Sequence, residues 1–194
     1  MNKTIEYYDE HSELFIGDTF DADMSAARSV FLKDIPEEGL ILDLGCGSGR
    51  DSKAFLQAGY RVDSLDGSKV LCESASKILQ RPVMHKRFDE LDDTGKYDGI
   101  WACASLLHVP SDNISDIIQK IFLALKPNGV FYMSVKKGTF EGCRNGRYFT
   151  DYTEERIVKM LAEYPFQLIR FWESNDVRPE KEEIWLNVLV KKLI

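Results

Sequence analysis

Two carboxylates and three glycines carry the first chemical signal in this chain. The run Leu40-Ile41-Leu42-Asp43-Leu44-Gly45-Cys46-Gly47-Ser48-Gly49 sets an acid two residues before a glycine-rich turn. A second acid, Asp66, closes the next apolar stretch and is followed by Gly67 and Ser68. Glycine has no Cβ, so such a turn bends sharply and lets a ligand lie against the main chain. The helix after the turn points its positive N-terminus into the same crevice. A carboxylate at the end of the neighbouring strand can accept hydrogen bonds from both hydroxyls of a ribose. Helix capping is the other reading of Asp66, and a structural acid holding backbone amides is the other reading of Asp43. The dinucleotide fingerprint G-x-G-x-x-G does not fit, because Arg50 stands where its third glycine belongs. Arg50 itself reads as a solvated side chain.

A second group of reactive side chains comes later. His108 follows the predicted fourth strand, at the end of the sheet where open α/β folds bind ligands. It can act as a general base, line an acceptor pocket, or serve as a structural imidazole bonded to backbone. Lys136, Lys137, Arg144 and Arg147 cluster after the fifth strand, with Tyr148 and Phe149 beside them. Such a cluster suits a small anion, and a solvated loop is its bland alternative. Near the N-terminus, Tyr7 and Tyr8 can close over a ligand or simply pack.

The elements that must position these groups follow from periodicity. The pattern predicts helices over residues 4–15, 22–33, 52–57, 68–79, 111–124 and 153–163. Strands are predicted over residues 40–44, 60–66, 82–84, 97–104, 130–135, 166–172 and 184–190. Residues 106–110 read as a turn, 138–150 as a loop and 173–183 as a hairpin loop. Repeated strand–helix alternation requires a parallel sheet with right-handed crossovers, and the last two strands read as an antiparallel pair. With 194 residues and no linker or repeat, the expectation is one domain, 1–194, with 1–36 as an N-terminal helical cap.

The order Asp43/Gly45/Gly47/Gly49, Asp66, Asp89, a small-residue strand end at 102–105 and Leu125-Lys126-Pro127-Asn128-Gly129 resembles the class I S-adenosylmethionine-dependent methyltransferases over nearly the whole chain. Within them, Tyr7-Tyr8-Asp9 and Ala104-Ser105-Leu106-Leu107-His108-Val109-Pro110 resemble the small bacterial tellurite-resistance-like branch. The resemblance implies an α/β, Rossmann-like three-layer sandwich. Its seven-stranded, mostly parallel sheet has the order 3-2-1-4-5-7-6, strand 7 being antiparallel. It implies S-adenosyl-L-methionine as cofactor and S-adenosyl-L-homocysteine as product. On this pattern Asp43 orients the glycine loop, Gly45, Cys46, Gly47 and Gly49 approach the cofactor, and Asp66, Gly67 and Ser68 take the ribose. Phe88 flanks the adenine, Asp89 receives its amino group, Cys103 and Ala104 offer backbone to the methionine end, and Tyr8 closes over it. His108, Lys136, Arg144, Arg147 and Tyr148 are then left for the acceptor. A non-catalytic cofactor-binding module, and a methyltransferase acting on RNA or protein, are the alternatives.

Composition narrows the classes. A formal net charge of -7 disfavours nucleic acid, whose phosphates need clustered Lys and Arg. The three histidines are scattered and the four cysteines include no C-x-x-C pair, so no metal site is expected and the thiols should be reduced. No apolar run is long enough to cross a membrane, and Met1-Asn2-Lys3-Thr4-Ile5-Glu6 lacks the apolar segment of a signal peptide. The expected setting is cytoplasmic, as a monomer or homodimer acting on a small-molecule substrate.

Overall fold

The structure, a computed structural model, describes residues 2–178 and 180–193. Helices α1 (Asn2–Glu10), α2 (Ser12–Thr19) and α3 (Ser25–Leu32) precede β1 (Leu40–Leu44). The chain continues through α4 (Arg50–Gln57), β2 (Arg61–Asp66), α5 (Lys69–Leu79), β3 (Met84–His85) and β4 (Tyr97–Cys103). Then come α6 (Ser111–Ala124), β5 (Leu125–Lys136), a hairpin of β6 (Glu141–Arg144) and β7 (Arg147–Thr150), α7 (Glu154–Leu161), β8 (Phe166–Asn175) and β9 (Ile184–Lys192).

Seven strands form one sheet in the order β3-β2-β1-β4-β5-β9-β8. The strands from β1 to β5 pair in parallel, and β9 runs antiparallel to both β5 and β8. With the separate β6–β7 pair set aside, this is the predicted sheet. The largely apolar runs of β1 and β4, each carrying one acid (Asp43, Asp98), are explained by burial on both faces. Ile114, Ile117, Ile118 and Ile121 of α6 pack with Ile100, Phe131 and Val188 on one face. On the other, Phe31 and Phe55 pack with Trp101 and Tyr132, whose rings stack with centroids 3.9 Å apart.

The strand predicted over 130–135 lengthens to Leu125–Lys136, and three further expectations change. The helix predicted over 4–15 breaks at His11, where the ring Nδ1 and the backbone N–H both bond the Tyr7 carbonyl and the side chain competes with the helical ladder. The helix over 22–33 shortens to α3. The loop predicted over 138–150 is largely a hairpin, closed at Asn145-Gly146 with φ of 49° and 79°, a two-residue turn matched to strand twist. Among the described residues no helix is long and apolar enough to cross a membrane, and no group of His, Cys, Asp and Glu is arranged to hold a metal. All four cysteines are free thiols.

Candidate active site

A cavity of about 390 Å³ opens along the carboxyl ends of the central strands. Its walls include the glycine loop, the ends of β2, β4 and β5, α1 and α2, the β6–β7 hairpin and the β8–β9 connection. That is where open parallel sheets place ligands.

The first half is made mostly of backbone. The amides of Gly45 and Cys46 both bond the Leu65 carbonyl at the end of β2. The Gly47 amide bonds one oxygen of Asp66 at 2.9 Å, and the Ser68 amide bonds the other at 2.8 Å. Asp66 thus holds the loop and caps the next turn, and each of its oxygens keeps a lone pair at the cavity wall. Its recessed position raises its pKa, against the lowering effect of those amides. Gly47 has φ +53°, and a Cβ there would stand 2.9 Å from the Phe15 ring. Beneath the loop, buried Asp43 accepts from Ser52 at 2.6 Å, and Ser52 meets Ser64 at 2.7 Å. Burial, then the nearby Asp51 charge, pushes the Asp43 carboxyl up. Ala104 adopts φ +52°, a conformation that costs a non-glycine residue about 1–2 kcal/mol. Its amide is fixed by the Ser134 hydroxyl and carbonyl at the end of β5.

Arg50 is not solvated. It pairs with Asp51 at 2.6 Å, while Asp51 also takes Arg28 at 2.6 Å and the Trp101 indole N–H at 3.0 Å. Asp51 is buried, so its charge demands these partners, and Arg50 and Arg28 lower its pKa although burial opposes them.

The second half is made of side chains. His108 is buried, its Nδ1 lies 2.6 Å from the Tyr148 carbonyl and its Nε2 lies 2.8 Å from the Tyr8 hydroxyl. A carbonyl only accepts, so Nδ1 carries the hydrogen and Nε2 receives the Tyr8 proton. Burial pushes the His108 pKa down to about 4, with Arg147 and Lys136 adding to the effect and the Tyr148 bond opposing it. Three of the four clustered cations are paired. Lys136 pairs with Glu183 at 2.7 Å, Lys137 with Glu173 at 2.5 Å and Arg144 with Asp151 at 2.5 Å. Arg147 has no carboxylate partner among the described residues. Its guanidinium lies 4.7 Å from the Tyr7 ring centroid and 5.2 Å from that of Phe149, and its buried Nε has no hydrogen-bond partner.

Of the residues singled out in the sequence, Tyr8, Asp43, Gly45, Cys46, Gly47, Asp66, Gly67, Ser68, Phe88, Cys103, Ala104, His108, Lys136, Arg144 and Arg147 line the cavity. Tyr7, Gly49, Asp89, Lys137 and Tyr148 do not. Gly49 is the left-handed residue that starts α4, Asp89 pairs with Arg87 at 2.9 Å, and the Tyr148 hydroxyl donates to Glu141 at 3.0 Å. Sequence reasoning missed Asp9, which accepts from the Ser68 hydroxyl at 2.5 Å and the Val70 amide at 3.2 Å. It also missed Phe15 and the wall supplied by Ser174, Asp176, Arg178, Trp185 and Asn187. Asp9 adjoins the tyrosine pair, a usable signal; the wall residues form no local motif.

A family model described as a methyltransferase domain matches residues 16–177. The chain belongs to this methyltransferase family. Among curated relatives, a ubiquinone biosynthesis O-methyltransferase of Actinobacillus pleuropneumoniae serotype 5b is 27% identical over 173 residues, covering 76% of this chain and 73% of its own. YqeM of Bacillus subtilis, named as a candidate methyltransferase, is 29% identical over 109 residues, or 52% of this chain. The match spans 44% of that relative, less than half its length. Among solved structures, the methyltransferase domain is similar to a Burkholderia thailandensis 1,6-didemethyltoxoflavin-N1-methyltransferase, whose crystal structure holds 1,6-didemethyltoxoflavin and S-adenosylhomocysteine. The TM-score is 0.81 at 22% identity, covering 100% of this chain and 88% of that one. The [4+2]-cyclase SpnF shares the fold at a TM-score of 0.79 and 12% identity, covering 97% and 94% of the two chains.

Proposed function

We propose that this methyltransferase domain moves a methyl group from S-adenosyl-L-methionine to a small anionic acceptor, releasing S-adenosyl-L-homocysteine. One observation carries the reading: a single cavity joins the glycine loop and Asp66 to Arg147, a guanidinium with an unpartnered buried Nε. The residues present fit the cofactor. Gly45 and Gly47 present bare main chain to the cavity, and a Cβ at Gly45 would stand 2.6 Å from Ser105 and 3.2 Å from Phe88, so the loop's shape there depends on glycine. Asp66 has lone pairs for ribose hydroxyls, and Phe88 offers a ring face for adenine. Asp89, turned to Arg87, is the weaker adenine contact.

When bound, the cofactor supplies a methyl group already activated on a sulfonium sulfur. The chain's own task is to hold a nucleophile in line and exclude water. Arg147 is suited to the acceptor's charge, because Lys136 and Arg144 are neutralised by Glu183 and Asp151. Tyr7, Tyr8 and Phe149 surround it and strip water from the pair.

The test is calorimetry with S-adenosyl-L-methionine, followed by transfer of radiolabelled methyl to small carboxylates, phosphates, tellurite, RNA and protein. Cofactor binding with label on a small anion is the expected result. Label on RNA or protein overturns the small-anion reading, and binding without any transfer favours a cofactor-binding module.

A further inference from the structure

The acceptor half holds one device that anion binding does not use. Tyr8, on α1, and His108, beyond β4, are 100 positions apart in sequence, yet the Tyr8 hydroxyl lies 2.8 Å from the His108 Nε2. On the far side of the ring, Nδ1 is fixed to the Tyr148 carbonyl at 2.6 Å. The Arg147 Nη1 points at the same hydroxyl oxygen, 3.4 Å away. A hydroxyl oxygen has two lone pairs, so one remains after the arginine contact. Both Tyr8 and His108 line the cavity.

We propose that Tyr8 takes a proton from an O–H or N–H acceptor and that His108 receives Tyr8's own proton. The proposal rests on the methyltransferase reading above and names its acceptor class: a small molecule carrying an anionic group for Arg147 and a protic nucleophile for Tyr8. The acceptor's lone pair forms the new bond to the methyl carbon as the carbon–sulfur bond breaks, and that bonding pair stays on sulfur. The acceptor's proton passes to the Tyr8 oxygen while the Tyr8 proton passes to His108 Nε2. One cationic sulfonium is consumed and one imidazolium is formed, so charge balances, and the imidazolium then loses its proton to water. A weak base suffices. An alcohol or amide-like N–H becomes strongly acidic as it gains the methyl group, so the proton has somewhere downhill to go. The fixed Nδ1 hydrogen bond keeps Nε2 as the receiving atom. A chalcogen oxyanion or a thiolate carries no such proton and needs neither residue.

The experiment uses two variants that spare packing. Tyr8→Phe removes only the hydroxyl. In His108→Asn the amide nitrogen sits where Nδ1 was, so it can keep donating to Tyr148 while Nε2 is lost. Wild type and both variants are assayed with S-adenosyl-L-methionine against hydroxybenzoates, a carboxylated imidazole, mercaptobenzoate and tellurite. Cofactor affinity is measured separately by calorimetry. The expected result is turnover confined to the hydroxyl and N–H probes. Each variant should lower kcat at least tenfold, with KM and cofactor Kd near wild type and with the double variant no worse than either single one. A solvent deuterium effect on kcat should be present in wild type and reduced in Tyr8→Phe. Turnover of mercaptobenzoate or tellurite alone, unchanged kcat in Tyr8→Phe, or cofactor binding with no probe methylated would overturn the relay. Loss of cofactor binding in wild type would instead remove the methyltransferase reading on which it rests.

Discussion

The two halves of the cavity are built by opposite means. In the cofactor half, acids hold backbone: Asp66 takes the amides of Gly47 and Ser68, and Asp43 reaches the loop's helix through Ser52. These partners lie within a short span of chain. In the acceptor half, side chains from distant elements hold each other: Tyr8 meets His108, Lys136 meets Glu183, and Arg147 meets Tyr7. On the proposed function, the backbone-built half takes the one invariant ligand, and the side-chain-built half can change its substrate without changing its fold.

Mutations can break this contrast, and the largest effect is expected at Gly47. Gly47→Val puts a branched side chain at φ +53° and against Phe15, so calorimetry should detect no cofactor binding while circular dichroism stays near wild type. Normal binding by this variant would show that the loop does not approach the ligand. Asp66→Ala comes next, with cofactor affinity lower by about 1.5–3 kcal/mol, the worth of hydrogen bonds to a charged group. An unchanged Kd in a folded variant would remove Asp66 from the cofactor half.

Arg147→Ala should act on the other half alone. Acceptor kcat/KM should fall by about 10- to 100-fold, again the worth of a charged hydrogen bond, with cofactor affinity held within about twofold. Arg147→Lys should recover only part of it, because an ammonium lacks the planar fork. Equal losses in both halves would deny that they are separate.

The smallest expected effect is a pH dependence of stability. His108 has a folded pKa of about 4 against an ordinary value near 6.5. Between those values the unfolded chain binds the extra proton, so the stability His108 contributes is full above the upper value and is lost as pH falls toward the lower one. Denaturant titrations at pH 7 and pH 5 should show wild type losing about 2 kcal/mol more than His108→Asn. Equal losses would mean that His108 is not held neutral.

The same contrast explains what the sequence disclosed. The sheet order is legible because strands and helices alternate with their own periods, and the contacts of Asp43 and Asp66 follow from strand ends beside a glycine turn. Asn145-Gly146 carries a turn signal, but the strands beside it are only four residues each, too short for alternation to mark them as strands. Arg144 and Lys136 stand in the sequence as members of a basic cluster, with no sign of the acids that pair with them. Asp151 reaches Arg144 from seven positions on, across the hairpin, and Glu183 reaches Lys136 from 47 positions on, just before β9; neither spacing is a helix or strand period. Arg50 failed for a related reason: its partner is the next residue, but only burial of Asp51 beneath Trp101 makes the pair obligatory.

Helix α1 belongs to both halves. Asp9 ties it to Ser68 and Val70 beside the cofactor wall, while Thr4 receives the Tyr148 amide at 2.9 Å and Tyr8 donates to His108 beside the acceptor wall. A change that loosens α1 at one wall is therefore expected to disturb the other, because the same nine-residue helix is pinned on both sides. Any coupling of two ligands through it would be equal in both directions. The helix is a shared fastening for the two walls.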